Sequence, residues 1–515
     1  YVYYDKKSIF NGVYDRDRFS FHLKPFKIDS LDNYTGKGLS FPGTFESAGI
    51  FPNFDDTLSL QKDYSLGFSR ETPVNGFDIY TGKGRYYQNI YLSNEGLQGI
   101  GEFEYLNSKL TSNDILFFPD SANIYTQSFV IREISKGIEF PDVKNTDTYA
   151  HFEPYNDRLK VYRVKTDFDF YDSQATFNGD LLMRPTGLTA KGVMYLDKAK
   201  VDANLFTCNA NWFASDTASL RVFEDDGLLA FKANDLKTHI DLLNREGVFY
   251  SNGSDSYVEL PANQYLSYID KLIWEIDEEY LSLGEEVNRG KGSKFISTHP
   301  DQDSLNFFVR KASYSLKDYI IHANGVDSII VADAIIFPDS GIVTIAKNAV
   351  IETLYSAKIL ADDLTKYHIF TNATVDIESA YNYKASADYT YIDGLNQEQQ
   401  IFFKEVTVDD KDTITIARGY ITEDNLFHID SKFDFKGIVH LISDQKNLTF
   451  DGYFRINYDC ALADKEWVKF RSRINPKDIN ITLEKNIYND ADNLLFTSLV
   501  MSFDSLNLYS TFLSQ

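Results

Sequence analysis

Residues 312–345 read ASYSLKDYIIHANGVDSIIVADAIIFPDSGIVTI, and this stretch decides the fold. Ala312, Tyr314 and Leu316 alternate with serines, the two-residue period of a half-buried strand. The pattern breaks at Lys317-Asp318 and resumes from Tyr319 to Ala323, where Asn324-Gly325 supplies a strong turn pair. Ile329 to Phe337 reads as one nearly continuous apolar strand interrupted by Asp333. Pro338-Asp339-Ser340-Gly341 has the chemistry of a type I turn: Pro presets φ and Gly closes it. Ile342 to Ile345 begins the next strand, and Ala357–Leu360, Tyr367–Phe370 and Ala373–Ile377 continue the rhythm. Short strands separated by regular turn signals predict an all-β protein of repetitive antiparallel units, an open jelly roll or solenoid-like stack with few helices.

Working outward, one segment competes with that reading. Tyr265, Tyr268, Ile269, Leu272, Ile273, Ile276 and Tyr280 recur at helical spacing, behind a Pro261 that suits a helix start. The same residues permit strands at Leu272–Ile276 and Tyr280–Leu283 around the acidic turn Asp277-Glu278-Glu279, and the β surroundings favour strands. An internal repeat is also present. Gly96-Leu97-Gln98-Gly99-Ile100-Gly101 and Asn113 match Gly187-Leu188-Thr189-Ala190-Lys191-Gly192 and Asn204 at a constant offset of 91 residues. A third pair of blocks, Asp120-Ser121-Ala122 and Asp216-Thr217-Ala218, carries an offset of 96. Phe-Pro-Asp recurs at 118–120, 140–142 and 337–339 as strand-ending punctuation, since Pro cannot donate to a ladder and Asp caps the turn. These signals predict five segments: an N-terminal β unit at 1–75, repeat copies at 76–170 and 171–285, a β stack at 286–475, and strands at 476–515.

The 515 residues include 40 Phe and 35 Tyr, far from a disordered composition and suited to pleated, half-buried surfaces. A formal net charge of −25 argues against nucleic acid, whose phosphates need a basic face, and against electrostatic docking on anionic lipid. No apolar run approaches the roughly 18 residues of a membrane-spanning helix. Two isolated cysteines, Cys208 and Cys460, make neither a metal motif nor a disulfide framework and read as buried thiols.

Catalytic signals are missing. Gly82-Lys83-Gly84, Gly99-Ile100-Gly101 and Gly290-Lys291-Gly292 do not open helices behind buried strands, so none is a phosphate loop. No nucleophile elbow or His-Glu-x-x-His motif occurs, and no two of the eight histidines sit at metal-ligand spacing. The expectation is a non-enzymatic chain without cofactor. Calcium is a minor candidate at the oxygen-rich runs Asp301-Gln302-Asp303-Ser304 and Asn489-Asp490-Ala491-Asp492-Asn493, though neither has an EF-hand pattern. Glycosidase chemistry would need two carboxylates opposed across a sugar cleft, which 76 scattered acidic residues do not single out. A planar exposed row of aromatic rings would mark a glycan-binding face instead.

The stretch from Ser304 to Ile377 carries Ala312-Ser313-Tyr314, Ile321-His322-Ala323-Asn324-Gly325-Val326 and Ala334-Ile335-Ile336. These strand cores resemble the lipopolysaccharide-transport bridge proteins of the OstA type. The unit around Gly187–Ala218 is similar to the β-repeat bridges of the AsmA/TamB kind. The resemblance implies short strands stacked into an open, twisted jelly roll whose apolar groove conducts lipid, with no catalytic residues. It places the chain outside the cytoplasm, in the periplasm or at the surface of a Gram-negative bacterium. On that reading Ile329, Val331, Ile336, Val343 and Ile345 line the open groove, and the chain is an envelope scaffold or lipid bridge. The alternatives are a surface adhesion or glycan-binding protein, and a glycan-active enzyme with paired carboxylates. Tyr1-Val2-Tyr3-Tyr4 and Leu506–Leu513 are apolar and strand-like, predicting that the chain continues into neighbouring β units or pairs by strand edges with envelope proteins.

Overall fold

Strands account for 62% of the computed structural model and helical turns for 3%. It describes residues 1–26, 39–253, 256–268, 270–284, 292–409, 411–458, 465–501 and 508–514. Helical turns among the described residues are single three-residue 3-10 turns, such as Pro154–Asn156 and Pro300–Gln302. Every strand pair in the two chains of pairing below is antiparallel. The protein is all-β and repetitive. No helix among the described residues is long and apolar enough to cross a membrane.

The chain divides into two compact units, residues 1–256 with 273–278, and residues 257–272 with 279–515. The segment 171–285 expected as one repeat copy therefore falls in both. Within the first unit, long strands run as a meander. Gly84–Ser93, Gly96–Tyr105 and Ser108–Phe117 are followed 91 residues later by Ala175–Arg184, Gly187–Leu196 and Ala199–Cys208. The ladders repeat with them. Tyr86 faces Phe103 as Phe177 faces Met194, and Gly101 faces Ser112 as Gly192 faces Ala203. Phe68 opposite Leu92 becomes Leu159 opposite Met183, so the repeat begins before residue 76. A register shift falls between Gly99 and Gly101 in one copy and between Ala190 and Gly192 in the other.

The third sequence block is a coincidence of composition. Ala122 pairs with Phe117, and the residue in the same place of the second copy is Phe213, opposite Cys208. The structural offset stays at 91, whereas Asp216-Thr217-Ala218 lies inside the strand Trp212–Phe223. Glycine explains the conserved geometry of the bulge. A Cβ on Gly101 would come 2.1 Å from the Tyr87 carbonyl oxygen, and one on Gly192 would come 2.2 Å from that of Asn178.

In the second unit, chain arms bend between two ladders. Tyr265–Tyr268, Ser293–Ser297, Asn306–Val309, Ile329–Val331, Ala334–Phe337 and Leu354–Ala361 form one. Tyr280–Leu283, Lys311–Ser315, Ile320–Asn324 and Ile342–Ile345 form the other. Alternate side chains on both are buried: Phe295, Phe307 and Ile329 on the first, Leu281, Tyr314, Ile321 and Val343 on the second. The ambiguous segment 265–283 is thus strand, at Tyr265–Tyr268, Lys271–Glu275 and Tyr280–Leu283, while Ile269 lies outside the described residues.

Two strand expectations need correction. Ile329–Phe337 is not one strand but a hairpin, with Ile329 opposite Ile336 and Val331 opposite Ala334. Ala332 adopts a φ of +53°, and its N–H donates to the Ala380 carbonyl, which fixes the turn. The expected strands Tyr367–Phe370 and Ala373–Ile377 conversely fall, apart from Tyr367, in one strand, His368–Ser379. At the two ends, Val2–Tyr3 pairs with Ser20–Phe21, and Leu508–Ser514 pairs with Leu494–Met501 in a three-stranded sheet.

Candidate functional site

The five residues expected in an open groove sit in closed core. Ile329, Val331, Ile336, Val343 and Ile345 all have 0% exposure. Ile329, Val331 and Ile336 belong to one ladder of the second unit, and Val343 and Ile345 to the other. Their pleat positions carry the buried alternation of both ladders, so these side chains fill the interior instead of walling a channel.

The oxygen-rich runs are used structurally. Gln302 donates from its side chain to the Ala349 carbonyl at 2.6 Å. Asp490 pairs with Lys436 at 2.7 Å, and the Asn489 side-chain oxygen Oδ1 accepts from the Ala491 and Asn493 amides. No group of three or more His, Cys, Asp or Glu side chains suited to a metal occurs among the described residues. Cys208 is buried with its thiol pKa pushed up to about 12 by desolvation, opposed in part by a hydrogen bond to Tyr171. Cys460 and the Gly290-Lys291 pair lie outside the described residues.

What the structure does assemble is a row of tyrosines on the outward face of the first unit. The strand Thr148–Glu153 pairs with Ala122–Ile131 on one side and Arg158–Arg163 on the other. Register sets Tyr125 opposite Tyr149, and Tyr149 opposite Tyr162. Ile124, Ala150, Phe152, Leu159 and Val161 take the buried positions, so alternation sends the three tyrosines outward. Their ring centroids are 4.9 and 5.9 Å apart, with interplanar angles of 41° and 23°. Tyr125, at the end of the row, is 57% exposed.

Polar groups frame the rings. Asp114 lies opposite Tyr125, and Asp180 lies opposite Tyr162 and Lys191. Asp114 and Asp180 are both exposed and enter no ion pair among the described residues. Desolvation raises the Asp180 pKa, against a smaller lowering by Lys191. Asn123 uses its side-chain carbonyl twice, accepting from the Tyr149 hydroxyl at 2.9 Å and hydrogen bonding His151 Nδ1 at 2.7 Å. Its side-chain amide makes no hydrogen bond among the described residues.

One end of this surface is pinned by the turn Pro154–Asn156. Asp157 closes it in the left-handed region, with φ +47°. Glu153 beside the turn pairs with Arg158 and Lys160, each at 2.6 Å. Burial alone would raise its pKa, but hydrogen bonds from Lys160, Asn156 and Arg158 outweigh that and hold it at about 2.

No protein-family model and no curated protein matches this chain in sequence.

The tyrosine row was not singled out in the sequence. Its only signal there is that all three rings occupy outward positions of alternating strands, at Ile124-Tyr125-Thr126, Thr148-Tyr149-Ala150 and Val161-Tyr162-Arg163.

Proposed function

We propose that this chain is a non-enzymatic, exported β scaffold that holds a carbohydrate chain on the Tyr125–Tyr149–Tyr162 face. The observation that carries this reading is the registered row of three outward rings. A tyrosine offers a rigid apolar face for the C–H side of a sugar, with a hydroxyl at its rim and few rotors to freeze. Asp114 and Asp180 at the ends, with the Asn123 amide beside the row, supply acceptors and donors for sugar hydroxyls. The carboxylates speak for holding rather than cutting. Four strand steps separate Asp114 from Asp180. At about 4.8 Å per step that is roughly 19 Å. A glycosidase pair stands about 5–9.5 Å apart. The lipid-bridge reading that the sequence favoured needs an open apolar groove, and the five residues expected to line it are buried.

The test is binding of the full chain to a panel of neutral and acidic oligosaccharides. Tyr149→Ala should weaken the best ligand at least about tenfold, a loss of ~1.4 kcal/mol. Tyr149→Phe should keep most of the affinity because it keeps the ring. No binding to any glycan, or affinity untouched by Tyr125→Ala and Tyr149→Ala together, sinks the reading.

A further inference from the structure

The second unit carries a basic pocket in a strongly acidic chain. The strands Thr415–Ile421, Phe433–Ile442, Thr449–Ile456 and Val468–Arg473 lie side by side. Their register aligns Arg418, His440, Thr449 and Arg473 in one row. Ala417, Leu441, Phe450 and Phe470 are buried, so the row faces outward. It borders a pocket of about 880 Å³ that Ile416, Ile442 and Arg471 also line.

Two arginines of this row lack the carboxylate partner that several other arginines have, as do Arg18, Arg132, Arg184 and Arg221 among the described residues. Arg16, Arg85, Arg158 and Arg455 each have a carboxylate partner. Arg418 and Arg473 make no ion pair among the described residues, although Glu405 lies opposite Arg418 in the ladder. Among the described residues Arg471 reaches only Asp451, at 3.6 Å. What distinguishes Arg418 and Arg473 is that both line the same pocket in a chain of net charge −25. An arginine's planar fork matches a carboxylate or sulfate in two parallel hydrogen bonds.

The rest of the lining narrows the ligand. Glu405 and Asp409 form part of the wall and would repel an anion there, but they accept hydroxyl groups well. Thr407, Thr449 and Ser472 add hydroxyls, while Ile416 and Ile442 offer an apolar surface. Arg418 and Arg473 are three strand steps apart. That is roughly 14 Å along the row, more than one small ion spans. We infer that this pocket binds an acidic oligosaccharide, its carboxylate or sulfate groups held by Arg418 and Arg473 and its hydroxyls by Glu405, Asp409 and Thr449. Consistent with a positive surround, desolvation and then Arg418 lower the His440 pKa, with Arg471 adding to this and Asp451 opposing it.

This inference does not depend on the tyrosine row, which lies on the other unit. Calorimetry of the full chain at low salt would use four probes: an oligogalacturonate, a sulfated oligosaccharide, a neutral oligosaccharide of equal length, and inorganic sulfate. Saturable binding of the carboxylated or the sulfated probe is expected, and which of the two binds identifies the oxyanion. Arg418→Gln and Arg473→Gln should each weaken it at least tenfold, and Arg85→Gln, an ion-paired arginine of the first unit, should leave it unchanged. Circular dichroism of each variant confirms that it is folded. The inference fails if neither acidic probe binds, if the neutral probe binds equally well and is weakened by the same arginine variants, if inorganic sulfate binds as tightly as the sulfated oligosaccharide, or if both arginine variants bind like the parent.

Discussion

Asp333 holds Thr415 from 82 residues away, its carboxylate accepting the Thr415 amide at 3.0 Å and the Thr415 hydroxyl at 2.6 Å. The Ser443 hydroxyl donates to the same carboxylate, and Thr415 and Ser443 are both fully buried. A tight turn at Ala332-Asp333 is thereby tied to the ends of two strands far along the chain. Asp333→Ala leaves the Thr415 amide and the Ser443 hydroxyl without an acceptor, the Thr415 hydroxyl keeping its partner Tyr383, at about 1–3 kcal/mol for each donor that stays buried and unsatisfied. We expect a loss of at least about 2 kcal/mol in urea unfolding, on the scale set by those unmet donors. Asp333→Asn, which keeps one acceptor, should lose less. Equal stability of Asp333→Ala and the parent would show that water replaces the carboxylate.

His368 makes the second unit acid-sensitive. Its Nε2 donates to the Gln445 carbonyl at 2.7 Å, and its Nδ1 lies 3.1 Å from the Tyr389 hydroxyl. Burial lowers its pKa below the ordinary 6.5, against a smaller raising by the Gln445 hydrogen bond. A depressed folded pKa means that below 6.5 the unfolded chain takes up the proton first. Stability is therefore intact above that pH and falls as pH drops through the folded value. Urea midpoints at pH 7.5 and pH 5.5 should differ less in His368→Gln than in the parent. The same difference in both proteins would remove His368 as a cause.

Cys208 should be inert while the chain is folded. Its thiol is fully buried and its pKa is pushed up to about 12, so almost no thiolate exists near neutrality. In a Cys460→Ser variant, modification by a thiol-disulfide reagent should be slow in buffer and immediate in denaturant. Rapid labelling without denaturant would mean that the strand Ala199–Cys208 opens locally.

The repeat exposes a mismatch that can be repaired. Gln88 opposes Gly101 in the first copy, where Gly179 opposes Gly192 in the second. Gln88 is an exposed residue held at φ +83°, a conformation that penalises any residue with a Cβ. Gln88→Gly should stabilise the first unit by about 0.5–1 kcal/mol, relief of strain exceeding the entropy glycine adds to the unfolded chain. Gly192→Ala should do the opposite, because its Cβ would sit 2.2 Å from a carbonyl oxygen. Thermal unfolding of both variants checks the pair, and a destabilised Gln88→Gly would contradict the strain argument.

Legibility in the sequence followed distance along the chain. Alternation and the chemistry of Asn324-Gly325 or Pro338-Asp339 act within a dozen residues, so the all-β class and most strands could be read directly. The 91-residue offset was readable because the glycines at its bulges cannot vary freely. Ile329–Phe337 was misread because the groups that anchor its turn, Thr415 and Ser443, are 82 and 110 residues from Asp333. Ile329 and its neighbours were assigned to a groove because an apolar strand looks the same whether it walls a channel or fills a core. The tyrosine and arginine rows stayed hidden for a related reason: each draws one residue from each of several strands, and cross-strand register is not written in any single strand.

The constant step of 91 residues makes the length of the first unit a quantity that changes in whole increments. Excising residues 97–187 would join Gly96 to Leu188, replacing one strand's interior with that of its counterpart. Each pleat would keep its phase, inward side chains staying inward, and the bulge glycine would arrive in place. An excision of 90 or 92 residues would turn every later side chain of that strand inside out. Chains of this architecture can thus grow or shorten by duplication and loss of that one module, and the three tyrosine-bearing strands lie within the stretch such an event removes.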